Sequence, residues 1–86
     1  MVVSLLFWNC QGAASLAFRR TFKELVRINK PKVMALFEPR ISGQKADLFI
    51  SESGFMKSYR IEAKGFSGGI WILWNMDVVL EVVENN

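Results

Sequence analysis

The sequence predicts an α/β fold: one mixed sheet with two helices, in the order β-α-β-α-β-β-β. Three observations carry this. Two nearly unbroken apolar runs, Val2 to Trp8 and Val33 to Phe37, bracket a single helical pattern. A strand–helix–strand unit of that kind makes its two strands parallel. A third apolar run, Ile70 to Trp74, follows the turn signal Gly65-Phe66-Ser67-Gly68-Gly69.

The first strand, residues 2 to 8, is apolar at nearly every position, as expected of a parallel strand covered on both faces. Cys10-Gln11-Gly12 breaks it. A helix is expected from about Ser15 to Ile28, because Phe18, Phe22, Leu25 and Val26 recur at i, i+4, i+7 and i+8. Arg19, Arg20, Lys23, Glu24 and Arg27 take the opposite face. Asn29 can adopt the left-handed conformation that ends a helix, and Pro31 prevents continuation.

The second strand spans Val33 to Phe37. A shorter helix is expected from Gly43 to Glu52, with Ser42 as N-cap, Gly54 just past its end, and Ala46, Phe49 and Ile50 inward. Ser58 to Ala63 alternates weakly, with Tyr59, Ile61 and Ala63 on one face. Ile70 to Trp74 is a buried strand, Asn75-Met76-Asp77 a short turn, and Val78 to Val83 a strand returning as a hairpin. Glu84-Asn85-Asn86 is a polar end. Two helices are few to cover both faces of such a sheet. An apolar patch including some of Ile70, Trp71, Ile72, Leu73 and Trp74 is expected to be poorly covered and to favour self-association.

Composition narrows the function classes. Residues 1–86 suggest one domain or less. The chain is 51% hydrophobic, with three Trp and seven Phe, which is much apolar surface for so short a chain to bury. Eleven basic and eight acidic residues leave a net charge of +3, which permits weak binding to nucleic acid. Arg19, Arg20, Lys23, Arg27, Lys30 and Lys32 cluster in one segment that reads as a solvated helix face, with a phosphate-facing stripe as the sharper alternative. Cys10 is the only cysteine, so no intrachain disulfide and no cysteine metal cage forms. There is no histidine, which removes the commonest general base at neutral pH and any Ser-His-Asp arrangement. No apolar run approaches the ~20 residues that cross a bilayer. The chain reads as an intracellular, soluble one without a membrane partner.

Two polar residues occupy corresponding places. Asn9 ends the first apolar run and Glu38 the second. On neighbouring parallel strands about 4.8 Å apart they stand side by side at the carboxyl edge of the sheet, where ligands bind in open α/β sheets. An amide beside a carboxylate there is the start of a metal and phosphate site.

Three segments extend that pattern: Phe-Trp-Asn-Cys-Gln-Gly at 7 to 12, Ala-Leu-Phe-Glu-Pro-Arg at 35 to 40, and Gly-Phe-Ser-Gly-Gly-Ile-Trp-Ile-Leu-Trp at 65 to 74. In this order and spacing they resemble the start of the endonuclease/exonuclease/phosphatase superfamily. That superfamily includes pancreatic-type deoxyribonucleases, abasic-site endonucleases and the endonuclease domains of non-LTR retrotransposons. The closest likeness is to the plant retroelement versions, with their Trp-Asn-Cys-Arg-Gly opening, Glu-Thr-Arg or Glu-Thr-Lys strand end and Gly-Phe-Ser-Gly-Gly strand start. It runs through the whole chain but matches only the N-terminal part of the family domain.

The resemblance implies the N-terminal half of a four-layer α/β sandwich and Mg²⁺-assisted phosphodiester hydrolysis. It implies that Asn9 arranges the catalytic site, that Glu38 is catalytic through ligating Mg²⁺, and that Arg40 approaches the substrate phosphate. Two positions depart from the pattern. Gln11 stands for Arg, and Pro39 stands for Thr, where proline removes a donor and biases Glu38 toward extended backbone. The family's later Asp, Asn and Asp-His motifs have no counterpart here. The expectation is therefore a truncated relic of a retroelement endonuclease domain, binding Mg²⁺ weakly or not at all and inactive by itself. Two other readings compete: a small RNA-binding module, since Lys64-Gly65-Phe66 resembles the start of the RRM aromatic motif, and an interaction module pairing its open sheet edge with another chain.

Overall fold

The computed structural model describes residues 3–65 and 67–83. Val2, Phe66 and the polar end at 84–86 lie outside the described residues. Four strands, β1 (Leu5–Asn9), β2 (Val33–Phe37), β3 (Lys57–Ile61) and β4 (Ile70–Trp74), form one mixed sheet in the order β1-β2-β4-β3. Two helices, α1 (Leu16–Asn29) and α2 (Gly43–Glu52), complete it. β1 and β2 are parallel neighbours, with Leu5 opposite Val33 and Asn9 opposite Phe37, as the strand–helix–strand unit requires. β4 runs antiparallel to both β2 and β3.

That order explains why the hairpin expected from Val78 to Val83 does not form. Both edges of β4 are already taken, one by β2 and one by β3, so no hydrogen-bonding edge remains for a following strand. Asn75 to Val78 does turn, with Val78 N–H donating to the Asn75 carbonyl at 3.1 Å. Residues 79–83 then continue without strand pairing.

Local chemistry sets the helix ends. The Ser15 hydroxyl accepts from the Phe18 N–H at 3.0 Å, capping α1. The left-handed residue that ends α1 is Lys30 (φ 44°) rather than Asn29, and its N–H donates to the Val26 carbonyl at 2.8 Å. Asn29 stays helical and its side-chain amide donates to the Leu25 carbonyl instead. Ser42 occupies the N-cap of α2 but makes no side-chain cap bond. The Glu62 carboxylate takes that role, accepting from the Gly43 N–H at 2.8 Å. Arg60 bridges the same Glu62 to Asp47 (2.7 Å to Asp47), tying α2 to β3.

Both helices pack on one face of the sheet. Phe18 and Phe22 of α1 and Ala46 and Phe49 of α2 join Met34, Leu36, Trp71 and Leu73 in one core. Its centre is aromatic: Trp8 stacks on Phe18 at 4.9 Å, and Phe49 packs on Phe18, Phe22 and Trp71 at 5.0 to 5.5 Å. The other face carries the outer-strand residues Leu5, Phe7 and Ile61 and the inner-strand residues Val33, Ala35, Phe37, Ile70, Ile72 and Trp74. Exposure along Ile70 to Trp74 falls elsewhere than expected. Trp71, Leu73 and Trp74 are buried and Ile70 and Ile72 half-buried, whereas Phe7 is 64% exposed. β4 is an inner strand whose neighbours shield it on both sides; β1 is an edge strand with a neighbour on one side only.

Candidate functional site

Four segments converge at the carboxyl edge of β1 and β2. They are the residues after β1, those after β2, those after β3, and the glycine pair that opens β4. Parallel pairing continues briefly past the strand ends. Cys10 N–H donates to the Phe37 carbonyl at 3.0 Å, Gly12 N–H to the Glu38 carbonyl at 2.8 Å, and Ala13 N–H to the Pro39 carbonyl at 2.7 Å. On the other side, Glu38 N–H donates to the Gly69 carbonyl at 3.0 Å and Arg40 N–H to the Gly68 carbonyl at 2.8 Å. Glu38 is thus fastened from both flanks.

This fastening resolves the expectation about Pro39. Its missing N–H is not needed, because the residues on either side of it supply the donors and its own carbonyl is used by Ala13. Pro39 is fully buried. Glu38 is not extended, as a residue before proline tends to be; its φ is 63°. Gln11 (φ 49°) and Arg40 (φ 61°) share the left-handed region. Three non-glycine residues held there within two adjoining loops is strain that the surrounding hydrogen bonds maintain, and such strain concentrates at functional sites.

The Gly68-Gly69 pair has two different steric jobs, which reading it only as a turn into a buried strand misses. A side chain on Gly68 would lie 2.9 Å from Glu38 Cα and clash with the Glu38 carboxylate. A side chain on Gly69, whose φ is 84°, would lie 2.8 Å from the Ile61 carbonyl oxygen. One glycine makes room for Glu38 and the other for the end of β3. The doubled glycine in the sequence is the signal that could have found this.

Of the three expected site residues, Asn9 is exposed at the end of β1, opposite Phe37 and one residue short of the level of Glu38. No hydrogen bond joins Asn9 to Glu38 among the described residues. Glu38 and Arg40 do meet: Arg40 Nε lies 3.7 Å from Glu38 Oε2, with the Glu38 side chain 41% exposed. Beside them an open depression of about 450 Å³ is lined by Arg40, Ser42, Lys64, Ser67 and Gly68. Lys64 and Ser67 exchange both backbone hydrogen bonds at 2.9 Å, which fixes its rim. Two cations and two hydroxyls around a hollow next to a carboxylate form an anion-attracting surface.

Cys10 lies at the same edge, and its surroundings disfavour the thiolate. Burial pushes its thiol up, the Glu38 charge adds to that, and Arg40 opposes it. Its Sγ–H donates to the Phe37 carbonyl at 3.3 Å. Among the described residues no three His, Cys, Asp or Glu side chains gather into a metal-binding group. One accessible carboxylate with an amide and hydroxyls nearby suits only a hard divalent ion that keeps most of its waters. The basic segment around α1 is partly neutralised: Arg19 pairs with Glu52, Arg27 with Glu24, and Lys32 with Asp77. No helix is long and apolar enough to cross a membrane. Compared with models of known families and with characterised proteins, the chain matches none.

Proposed function

We propose that this chain carries the Asn9–Glu38 portion of a divalent-metal-dependent phosphodiesterase site of the endonuclease/exonuclease/phosphatase type, and that it does not cleave phosphodiesters by itself. The observation that carries this reading is Glu38: an accessible carboxylate at the carboxyl edge of two parallel strands, held at φ 63° by hydrogen bonds from both flanks, beside a cationic hollow. The motif resemblance supports the same reading.

In this role Glu38 would hold a hydrated Mg²⁺ through its carboxylate, which would supply charge neutralisation at a phosphate oxygen and a more acidic bound water. Arg40 and Lys64 draw the phosphodiester toward the edge, and the Ser42 and Ser67 hydroxyls donate to its oxygens. Asn9 orients groups from the end of β1. No histidine is present to take or give a proton. Losing cooperating catalytic groups together removes most of a rate enhancement.

Two measurements test the two halves of the proposal. Mn²⁺ titrated into labelled protein is expected to broaden amide signals of residues 9 to 12 and 38 to 40, and Glu38→Ala to abolish the effect. Absence of broadening in the parent would sink the metal site. In a supercoiled-plasmid assay with Mg²⁺ neither protein is expected to nick. Nicking by the parent that Glu38→Ala removes would show that the chain is active after all.

A further inference from the structure

We propose that the outer side of α1 binds the sugar–phosphate backbone of a nucleic acid, without regard to base sequence. Arg20, Lys23 and Arg27 recur at i, i+3 and i+7, and Lys30 follows at the C-cap. This row lies opposite Phe18 and Phe22, which α1 buries in the core, and all four residues are exposed. At about 1.5 Å per residue the row is about 15 Å long. A duplex presents one phosphate per about 3.4 Å along each strand, so the row spans about four base-pair steps.

The net charge of the chain is concentrated here. Arg19, Arg27 and Lys32 are paired with Glu52, Glu24 and Asp77. Both oxygens of Glu24 are taken by Arg27. Among the described residues Arg20, Lys23 and Lys30 join no salt bridge. Elsewhere in the chain five basic residues are matched in number by five acidic ones. The net charge of +3 is therefore that of Arg20, Lys23 and Lys30, in a chain whose isoelectric point is about 9.4. Cations gathered along one helix of a basic domain are the electrostatic footprint of a nucleic-acid surface.

Helix stability does not account for the row. The first turn of α1 contains Arg19 and no acidic residue, the reverse of the charge that a helix N-terminus favours. Arg20 with Lys23, and Lys23 with Arg27, are like-charged neighbours at i,i+3 and i,i+4, an arrangement that disfavours a helix. Phosphates alongside the row remove that repulsion. A membrane surface fits less well, because an interfacial helix buries its apolar face in lipid and α1 buries that face in the core. The inference rests on α1 alone and not on the chemistry proposed at Glu38.

Fluorescence anisotropy of a labelled DNA duplex of about 20 base pairs, at about 50 to 200 mM salt, tests it. The parent is expected to bind, with log affinity falling against log salt at a slope of about −3. Arg20→Gln/Lys23→Gln is expected to weaken binding at least about tenfold and to make the slope shallower by about two. Lys45→Gln/Lys57→Gln removes the same charge from α2 and β3. It is expected to leave the affinity within about twofold, because salt screens cations away from the contact. All four positions are exposed, and circular dichroism establishes that each variant is folded. Arg20→Gln and Lys23→Gln singly carry the same test, each with a slope shallower by about one. A parent that does not bind overturns the proposal, as does an affinity that falls equally in the two double variants. Binding lost in Arg40→Gln/Lys64→Gln but kept in Arg20→Gln/Lys23→Gln moves the contact to the hollow beside Glu38. That result also overturns the proposal and leaves the reading of Glu38 intact. Binding to phosphatidylserine vesicles without binding to the duplex assigns α1 to a membrane surface and overturns it as well.

Discussion

The two faces of the sheet are built from the same kinds of residue but are covered to different extents. Met34, Leu36, Trp71 and Leu73 point toward the helices and are fully buried. Leu5, Phe7 and Ile61, on the outer strands, point the other way and are about half exposed or more, although Val33, Ala35 and Trp74 on that same face are buried. Chemistry does not distinguish them; position does. α1 and α2 both cross on one side, so the alternation of side chains along each strand separates a helix-covered core from a face whose outer-strand residues stay exposed. Stability should therefore depend more on the helix-covered face than on the exposed positions of the other.

The largest effect expected from this division is on the covered face. Trp71→Ala removes the ring against which Phe49 packs and leaves a cavity, a loss of about 3–5 kcal/mol, enough to abolish cooperative melting in a domain this small. Phe7→Ala is expected to change monomer stability by less than about 1 kcal/mol, because little of that ring leaves water on folding. Urea denaturation of both at low protein concentration checks the pair. Equal losses would mean that the two faces are energetically alike.

Gly68→Ala comes next. The added carbon meets Glu38 at both backbone and side chain, so overpacking of about 1–3 kcal/mol is expected, with amide shifts confined to residues 38 to 40 and 67 to 69. A neutral Gly68→Ala would mean that Glu38 is not held as described. Ser15→Ala removes the α1 cap and is expected to cost about 1 kcal/mol, with faster hydrogen exchange in the first turn of α1 only.

The smallest effects are pH-dependent. Burial raises the Cys10 thiol in the folded state, so the unfolded chain ionises first as pH rises. Stability from this group is complete below the ordinary thiol range and declines above it. The melting temperature of the parent should fall faster than that of Cys10→Ala on the alkaline side. Glu38→Gln removes one of the groups that raise the thiol, so thiol alkylation should quicken slightly in that variant. On the acid side the hydrogen bond from Lys32 holds the Asp77 carboxyl below the usual carboxylate range. Its contribution is present above that range and fades as pH falls through the depressed value. Lys32→Met should flatten that acid limb by a small amount, since both partners are exposed.

Most elements were legible in the sequence because their signals are local. The spacing of Phe18, Phe22 and Val26 gives α1 its buried side, and the apolar runs give β1, β2 and β4 with bounds close to those observed. Asn9 and Glu38 could be placed at one edge because a strand–helix–strand unit leaves the two strands a single relative direction. Asn29 and Lys30 show the limit of such reading. Asparagine has the better intrinsic preference for a left-handed position, but here its amide is engaged by the Leu25 carbonyl and the turn closes one residue later.

What needed the tertiary structure was everything set by which strand lies beside which. Val78 to Val83 reads as a strand by pattern, yet β4 has no free edge, because β3 crosses over to take it. Ile70 to Trp74 reads as the apolar run most at risk of exposure, yet the helices cover Trp71 and Leu73 and the inner position limits exposure of the rest, while Phe7 on the edge strand is exposed instead. The left-handed Glu38 contradicts the preference of a residue before proline, because five backbone hydrogen bonds from residues 10 to 13 and to Gly68 and Gly69 outweigh it. Local sequence determines what each segment can become, since propensity and periodicity act over a few residues. Strand order, and with it edges, exposure and strain, is decided by contacts between segments far apart in the chain, whose energies no local pattern encodes.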